Sequence, residues 1–498
     1  MKFVSTRGKG DTVTAAQAII QGLAPDGGLF VPEGFPVIKD ISALCGMSYP
    51  ERAAHIMGLF FNEWAAEELL DICEKAYADF EDGDPAPLVK LDEDLYILEL
   101  WHGPTQAFKD MALAVLPRLL VSAKQKTGDN SKTLILTATS GDTGKAALEG
   151  FKDVEGMRIV VLYPTDGVSA MQKLQMATQE GNNVEVIAIR GNFDDAQTAV
   201  KSVFEDAGIA AELAKRGEKL SSANSINIGR LIPQIAYYFS AYADLLSGRQ
   251  IKAGDKVNFV VPSGNFGNIL AGYYAYRMGL PVNKLICASN RNNVLTDFIR
   301  DGAYCANRAF YRTASPSMDI LISSNLERLV FELSSRDDRK TAERMAALKK
   351  DGKYDITESE LADLNHVFWG GYADEDACGN ALDDTFEEYG YIADPHTAVA
   401  LAVYAEYLAA SGDAETKTVI LSTASPYKFV NDVLKAIGEE ISSSERKNLA
   451  RLEELTALPV PDALNELFSL EKLHTAVIEK HEARAAVLDY IKGLKQKP

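Results

Sequence analysis

Three stretches of this chain share one design: an apolar run, a turn of glycine and small polar residues, then a helix-forming sequence. They read TLILTATSGDTGKAALEGF, VNFVVPSGNFGNILAGYYA and VILSTASPYKFVNDVL. Strands that lead by short connections into helices are the units of a largely parallel sheet. In such a sheet these turns all lie at the carboxyl ends of strands, where open α/β folds bind ligands. Glycine lets backbone approach an anion closely, and each following helix offers unpaired N–H groups and a positive dipole end. Further strands are predicted at RIVVLYP and VEVIAI, so residues from about 95 to 290 form an α/β core. Taken singly, each turn is a weak signal. GDTGK has Ala146 where a Walker A loop needs Ser or Thr, and no turn completes GxGxxG.

The rest of the chain frames this core. A length of 498 residues predicts about three domains or lobes. Residues 1–92 mix short apolar segments with turn signals and end in the acidic, proline-rich EDGDPAP, the predicted linker. Residues 93–438 form the core, with a polar, charged insertion at about 300–390 whose role cannot be read. The 439–498 tail is charged with spaced leucines, which predicts solvated helices packed on the outside.

A formal charge of −20 disfavours nucleic acid as a partner, so any anionic ligand must be gathered by a local site against the global field. No run of 18 apolar residues predicts a membrane span, and the first thirty residues lack a signal-peptide core. Five scattered cysteines without a CxxC pair argue against a disulfide framework or a zinc site and for the reducing cytoplasm. No metal-ligand spacing is recognised.

In HGPTQAFKDMALAVLPRLL, Lys109 sits where a loop becomes a helix with apolar residues behind it. A cation in the first helical turn opposes the dipole, and apolar neighbours make its charge costlier. Both push lysine toward the neutral amine, which is nucleophilic and forms imines with carbonyl compounds. The bland alternative is that Lys109 snorkels to solvent or pairs with Asp110 or Glu99. An imine-forming lysine beside a glycine-rich anion loop suggests a carbonyl cofactor that carries phosphate, and pyridoxal phosphate fits both halves.

In SSANSINIGRLIPQ, Arg230 can clamp a phosphate or carboxylate, with Asn224 and Ser225 adding donors. Equally, Ser225 or Asn227 caps a helix and leaves Arg230 on a solvated face. His102 reads as either acid–base or loop hydrogen-bonder, and His396 as part of a helix start capped by Asp394.

With these residues assembled, the sequence resembles the threonine synthase family of the fungal and enterobacterial type. That family lies within the fold-type II pyridoxal-phosphate enzymes. STRG and GLAPDGGLFVP, then HGPTQAFKD, TATSGDTG, NSIN with Arg230, SGNFGN and DPHTA, follow in the expected order along nearly the whole chain. The resemblance implies a tryptophan synthase β-like α/β fold, with twisted, mostly parallel sheets in two lobes. An extra N-terminal domain and a C-terminal helical segment would complete it. It implies that Lys109 holds pyridoxal 5′-phosphate covalently and moves protons at Cα and Cβ of the substrate. Gly264, Asn265, Phe266, Gly267 and Asn268 would bind the cofactor phosphate, and the Thr423 hydroxyl the pyridine nitrogen. Ser140, Gly141, Asp142 and Thr143 would cradle the substrate carboxylate and neighbouring groups, and Asn224, Ser225 and Arg230 the phosphate of O-phospho-L-homoserine. The implied reaction gives L-threonine and phosphate, in a cytoplasmic monomer or homodimer. Ser425 departs from the pattern, since relatives often carry histidine there. Two alternatives stay open: a related phospho-lyase or hydroxy-amino-acid dehydratase that gives a 2-oxo acid, and a non-catalytic metabolite-binding module.

Overall fold

The computed structural model, which describes residues 1–8 and 10–493, bears out the parallel pairing predicted from the apolar runs. A small antiparallel sheet comes first, with β1 (Lys2–Ser5) between β2 (Val13–Thr14) and β3 (Phe30–Pro32). The chain then lays β4 (Leu88–Lys90) antiparallel to β5 (Leu95–Glu99) and departs to build a separate sheet. There β6 (Lys132–Ala138), β7 (Met157–Pro164), β8 (Val184–Ile189) and β9 (Glu218–Ser221) are all parallel. It returns with β10 (Val257–Pro262) and β11 (Val282–Ser289) and passes through a short antiparallel pair, β12 (Ala303–Cys305) and β13 (Lys353–Asp355). Then β14 (Phe368–Tyr372) and β15 (Thr418–Ser422) complete the larger sheet, and β16 (Val477–Ile478) pairs in parallel with β8. The two orders are β14-β11-β10-β15-β5-β4 and β16-β8-β7-β6-β9.

Every residue of β10 and β15 is buried. Parallel strands are covered by helices on both faces, which is why they read as continuous apolar runs instead of alternating ones. The carboxyl ends of β6, β10 and β15 converge, and the turns after them meet at one cleft. The lysine loop is fastened to the same place. Phe108 N–H donates to Thr423 O at 2.9 Å, Ser425 N–H to Gln106 O at 3.1 Å, and Ala107 bridges Ala424.

Two readings of the sequence change here. The tail, predicted to lie outside as solvated helices, instead closes one face of the second sheet; its residues 494–498 lie outside the described residues. Ala483, Val487 and Ile491 recur at helical spacing and pack with Val160, Leu162 and Ile187. The 300–390 region is mostly helical, as expected, but its loop carries Ser317 and Met318 into the cleft. Its helix Leu326–Leu333 is also tied to the STRG segment: Glu327 accepts from Thr6 Oγ1 at 2.6 Å and from Arg7 Nη2 at 2.7 Å.

Helix Asp142–Phe151 crosses the turn that follows Lys109 at very close range. A Cβ at Gly150 would stand 2.2 Å from the Leu113 carbonyl oxygen. Alanine is normally the better helix former, yet Gly150→Ala should destabilise the protein by about 1–3 kcal/mol, because the two segments must separate. Chemical denaturation measures this, and an unchanged or raised midpoint would show that the contact yields freely.

Candidate active site

Lys109 precedes the four-residue helix Asp110–Leu113 and is 9% exposed. So short a helix has little dipole, so the reason foreseen for a depressed pKa is not the main one. Burial is the largest cause, Asp142 opposes it, and the Arg230 and Lys428 cations add to it, taking the amine down to about 8. The bland pairings do not occur. Asp110 accepts from Thr105 N–H at 2.8 Å and Thr105 Oγ1 at 2.6 Å, and burial lifts its carboxyl to about 6. Glu99 bonds His102 Nε2 at 2.8 Å instead.

The carboxylate that Lys109 does face is Asp142, 3.6 Å from its Nζ. Lys428, wholly buried, holds the same carboxylate at 2.7 Å and donates to Thr105 O at 2.8 Å. Gln172 Nε2 and Ser317 Oγ donate to it as well, at 2.8 and 3.2 Å. Burial alone would raise this acid, but Lys428, Lys109 and His396 outweigh it and hold Asp142 ionised far below the usual carboxylate range.

The glycine-rich turn after β10 lines the cleft from Pro262 to Asn268. Its shape admits little else. A Cβ at Gly264 would come within 3.0 Å of Met318 Cα and of Ser317 O, and Phe266 takes a left-handed φ of 63°. Asn268 Oδ1 accepts from the hydroxyls of Tyr237 at 2.6 Å and Tyr238 at 3.0 Å. Its Nδ2 is thereby turned the other way, buried and without a partner among the described residues. A donor so placed fits an anion that arrives with a ligand. Thr423 lines the cleft at the end of β15. Ser425, two residues on, is fully buried, and its Oγ has no partner among the described residues.

Across the cleft stand Ser225 and Arg230. Asn227, not Ser225, caps the helix Ile228–Leu231, its side-chain oxygen accepting from Gly229 N–H at 2.9 Å. Arg230 is buried, not solvated. Its Nη1 donates to Ala223 O at 2.9 Å, it has no carboxylate partner among the described residues, and burial lowers its pKa to about 10. A charged guanidinium left unpaired in a cleft is an anion site.

Not every expected residue lines the cleft. Asp142 and Thr143 do, whereas Ser140 and Gly141 form the turn before them. Gly141 has φ 137°, and a Cβ there would overlap the Gln172 side chain. Asn224 also stands back, accepting from Thr137 Oγ1 at 2.8 Å and so pinning the loop to β6. His102 stacks on Trp101 and lines a different hollow. His396 does start a helix behind Asp394, but it also lines the cleft. Its Nδ1–H bonds Asp394 Oδ1 at 2.7 Å, and its Nε2 accepts from Ser317 N–H at 3.2 Å.

Sequence reasoning missed Ser317, Met318 and Gln234 in the lining, and Lys428 behind it. Lys428 had a signal, since a lysine between Tyr427 and Phe429 after a strand-end turn is as misplaced as Lys109. The others had none. Together, an amine near neutrality, a glycine cradle with an orphaned donor and an unpaired guanidinium fit pyridoxal phosphate and an anionic substrate.

Comparison with known proteins agrees. Family models described as threonine synthase N terminus, pyridoxal-phosphate dependent enzyme and threonine synthase, C-terminal match residues 2–77, 81–424 and 397–491. The chain is 37% identical over 495 residues to a threonine synthase of Pseudomonas aeruginosa, covering 98% of this chain and 100% of that one. It superposes on the pyridoxal-phosphate-bound threonine synthase from Brucella melitensis with a TM-score of 0.87, 36% identity and 99% coverage of both chains. Yeast threonine synthase gives a TM-score of 0.87 at 34% identity, again over 99% of both chains.

Lys428 competes with Lys109 for Asp142 and also repels it, so Lys428→Met should raise the Lys109 pKa above about 8. The pH at which cofactor-stripped protein recaptures pyridoxal phosphate at half its maximal rate, followed by absorbance, should move upward. A midpoint that stays put or falls would mean that Lys428 does not govern the amine.

Proposed function

The chain belongs to the threonine synthase family of pyridoxal-phosphate-dependent enzymes, and we propose that it converts O-phospho-L-homoserine and water to L-threonine and inorganic phosphate. The observation that carries this reading is Arg230, a buried cation without a counter-ion among the described residues, close enough to Lys109 to lower its pKa. A second anion site beside the amine suits a substrate that brings its own phosphate. A simple hydroxy-amino acid would leave it empty.

When bound, pyridoxal phosphate supplies an aldehyde for Lys109 and a conjugated ring that takes up the electron pair left at Cα. Gly264, Asn265, Phe266, Gly267 and Asn268 would hold its phosphate, with Asn268 Nδ2 as the side-chain donor. Thr423 would offer the pyridine nitrogen a neutral hydroxyl, which does not fix a proton there as a carboxylate would. Lys109, half-neutral near pH 8, would take the Cα proton, pass it to the cofactor so that the amine is free again, and then take a Cβ proton as the Cγ–O bond breaks. It would return that proton to Cγ; water would add its hydroxyl at Cβ and give its proton to the departing phosphate, and Cα would regain its proton.

Ser225 and Arg230 hold the substrate phosphate and stabilise it as it leaves, with Asn224 setting their loop. Thr143, which lines the cleft, supplies a donor to the substrate carboxylate, and Ser140 and Gly141 shape the turn before it. Asp142 belongs to this loop, but its own negative charge bars it from bonding another carboxylate. We give it the role of counter-ion that orients both lysines.

The division at residues 92 and 438 is part of this reading, and the segments share one core. Ile19 and Leu116 both close on Gly229, and Asn227 Nδ2 donates to Ile19 O at 2.9 Å. No helix among the described residues is long and apolar enough to cross a membrane. All five cysteines are free, which supports placing the enzyme in the reducing cytoplasm.

Purified protein given O-phospho-L-homoserine should yield threonine and phosphate in equal amounts. 2-Oxobutyrate as the main product would establish a lyase instead. Lys109→Ala should abolish turnover and leave the cofactor without its covalent absorbance; normal threonine output would remove the lysine from the chemistry. Arg230→Ala should raise KM, with kcat/KM falling by the equivalent of about 2–5 kcal/mol for a lost buried charge pair. Unchanged kinetics would reject the clamp.

A further inference from the structure

Asn325 and Arg328 lie in the region whose role was unreadable; both are fully buried, and neither lines the cleft. Asn325 Nδ2 donates to Ser225 Oγ at 3.0 Å and to Asn265 O at 3.0 Å, and its backbone N–H reaches Asn265 O at 3.2 Å. One side chain therefore spans the loop assigned to the cofactor phosphate and the loop assigned to the substrate phosphate. Two residues earlier, Ser323 Oγ donates to Gly264 O at 2.7 Å, so the same segment grips the cradle twice.

Arg328 decides which way Asn325 points. Its Nη1 donates to Asn325 Oδ1 at 2.5 Å, its Nη2 to Ile226 O at 2.6 Å and its Nε to Phe30 O at 2.9 Å. With Oδ1 taken by the guanidinium, the amide can present only its NH₂ to Ser225 and Asn265. Ser225 Oγ, already accepting from Asn325, keeps its own hydrogen to donate, and this residue lines the cleft. The arrangement is stiff because Asn325 and Arg328, which hold it together, are fully buried and bonded.

We propose that Asn325, oriented by Arg328, is a positioning residue that fixes the separation of the two anion-binding loops. It thereby makes the site selective for an amino-acid phosphate ester whose phosphate stands on Cγ. This rests on the function proposed above. Two anions held on loops of fixed spacing admit only a substrate of matching length. O-Phospho-L-serine, with its phosphate on Cβ, is one carbon short.

The test uses holoenzymes of the wild type, Asn325→Ala, Asn325→Asp, Ser225→Ala and the Asn325→Ala/Ser225→Ala double variant. It measures KM and kcat for O-phospho-L-homoserine, Ki for O-phospho-L-serine, cofactor release by absorbance, and melting temperature. Asn325→Ala should raise KM about tenfold, the scale of one lost buried hydrogen bond, with a smaller effect on kcat. It should also narrow the gap between that KM and the Ki for the shorter ester, and speed cofactor release. Asn325→Asp keeps the volume but turns an acceptor toward Ser225 and Asn265 O, and should do the same. In the Ser225→Ala background the added effect of Asn325→Ala on KM should shrink, because both act through one hydroxyl.

An unchanged ester preference and unchanged cofactor release would overturn the proposal. So would full additivity of the two substitutions, or failure of both position-325 variants to fold, which would make the residue purely structural. A wild-type enzyme that forms no threonine would refute the functional reading alone. Cofactor release from Asn325→Ala would still decide the role at the cradle.

Discussion

One carboxylate stands between two buried lysines, and the chemistry open to this cleft depends on how Asp142 is divided between them. Lys428 holds the shorter contact, 2.7 Å against 3.6 Å for Lys109, and Gln172 and Ser317 occupy further lone pairs. Away from water such differences count, because attraction is weakly screened there. Given the whole carboxylate, Lys109 would remain an ammonium ion; given none, a buried Asp142 would have to take up a proton. The shared arrangement leaves an amine that titrates near physiological pH beside an acid that stays charged. With Arg230 added, the cleft is locally cationic inside a protein of formal charge −20, the anion-gathering site that such a composition requires.

The fold brings these groups together from distant parts of the chain. Two mostly parallel sheets each point the carboxyl ends of central strands at the same space, so the β6 turn faces the β10 and β15 turns. Hydrogen bonds from Phe108 and Ser425 bind the lysine loop to the end of β15, so the amine and the Thr423 hydroxyl move as one piece. Ser225, Arg230 and Gln234 arrive from the segment before β10, His396 from the helix before β15, and Ser317 and Met318 from a loop outside either sheet.

What could be read from the sequence follows from the range of the interactions. β6, β10 and β15 were legible because apolar runs, glycine turns and helix starts are local patterns. Lys109 was legible as a misplaced cation, although the dipole invoked for it is that of a four-residue helix and the larger effects are burial and two remote cations. Lys428 offered the same kind of local oddity and was passed over. Ser317 and Asn325 are different. Their importance lies in bonds to Asp142, 175 residues away, and to Ser225, 100 residues away, which no local pattern encodes. The charge state of Asp142 is likewise set by residues far along the chain.

The carbonyl of Phe30, at the start of β3, is one of the groups that hold the Arg328 guanidinium, and Thr6 and Arg7 grip the neighbouring Glu327. Coupling between sites is reciprocal: whatever the docked amino-terminal strand lends to the ligand loops, occupied loops must give back to the strand. Amide hydrogens in the first thirty residues would then exchange more slowly in the loaded enzyme than in the empty one. Proteolytic nicking in that segment would loosen ligand affinity before it unravels the sheets, so the molecule carries at its leading end a gauge of whether its working centre is filled.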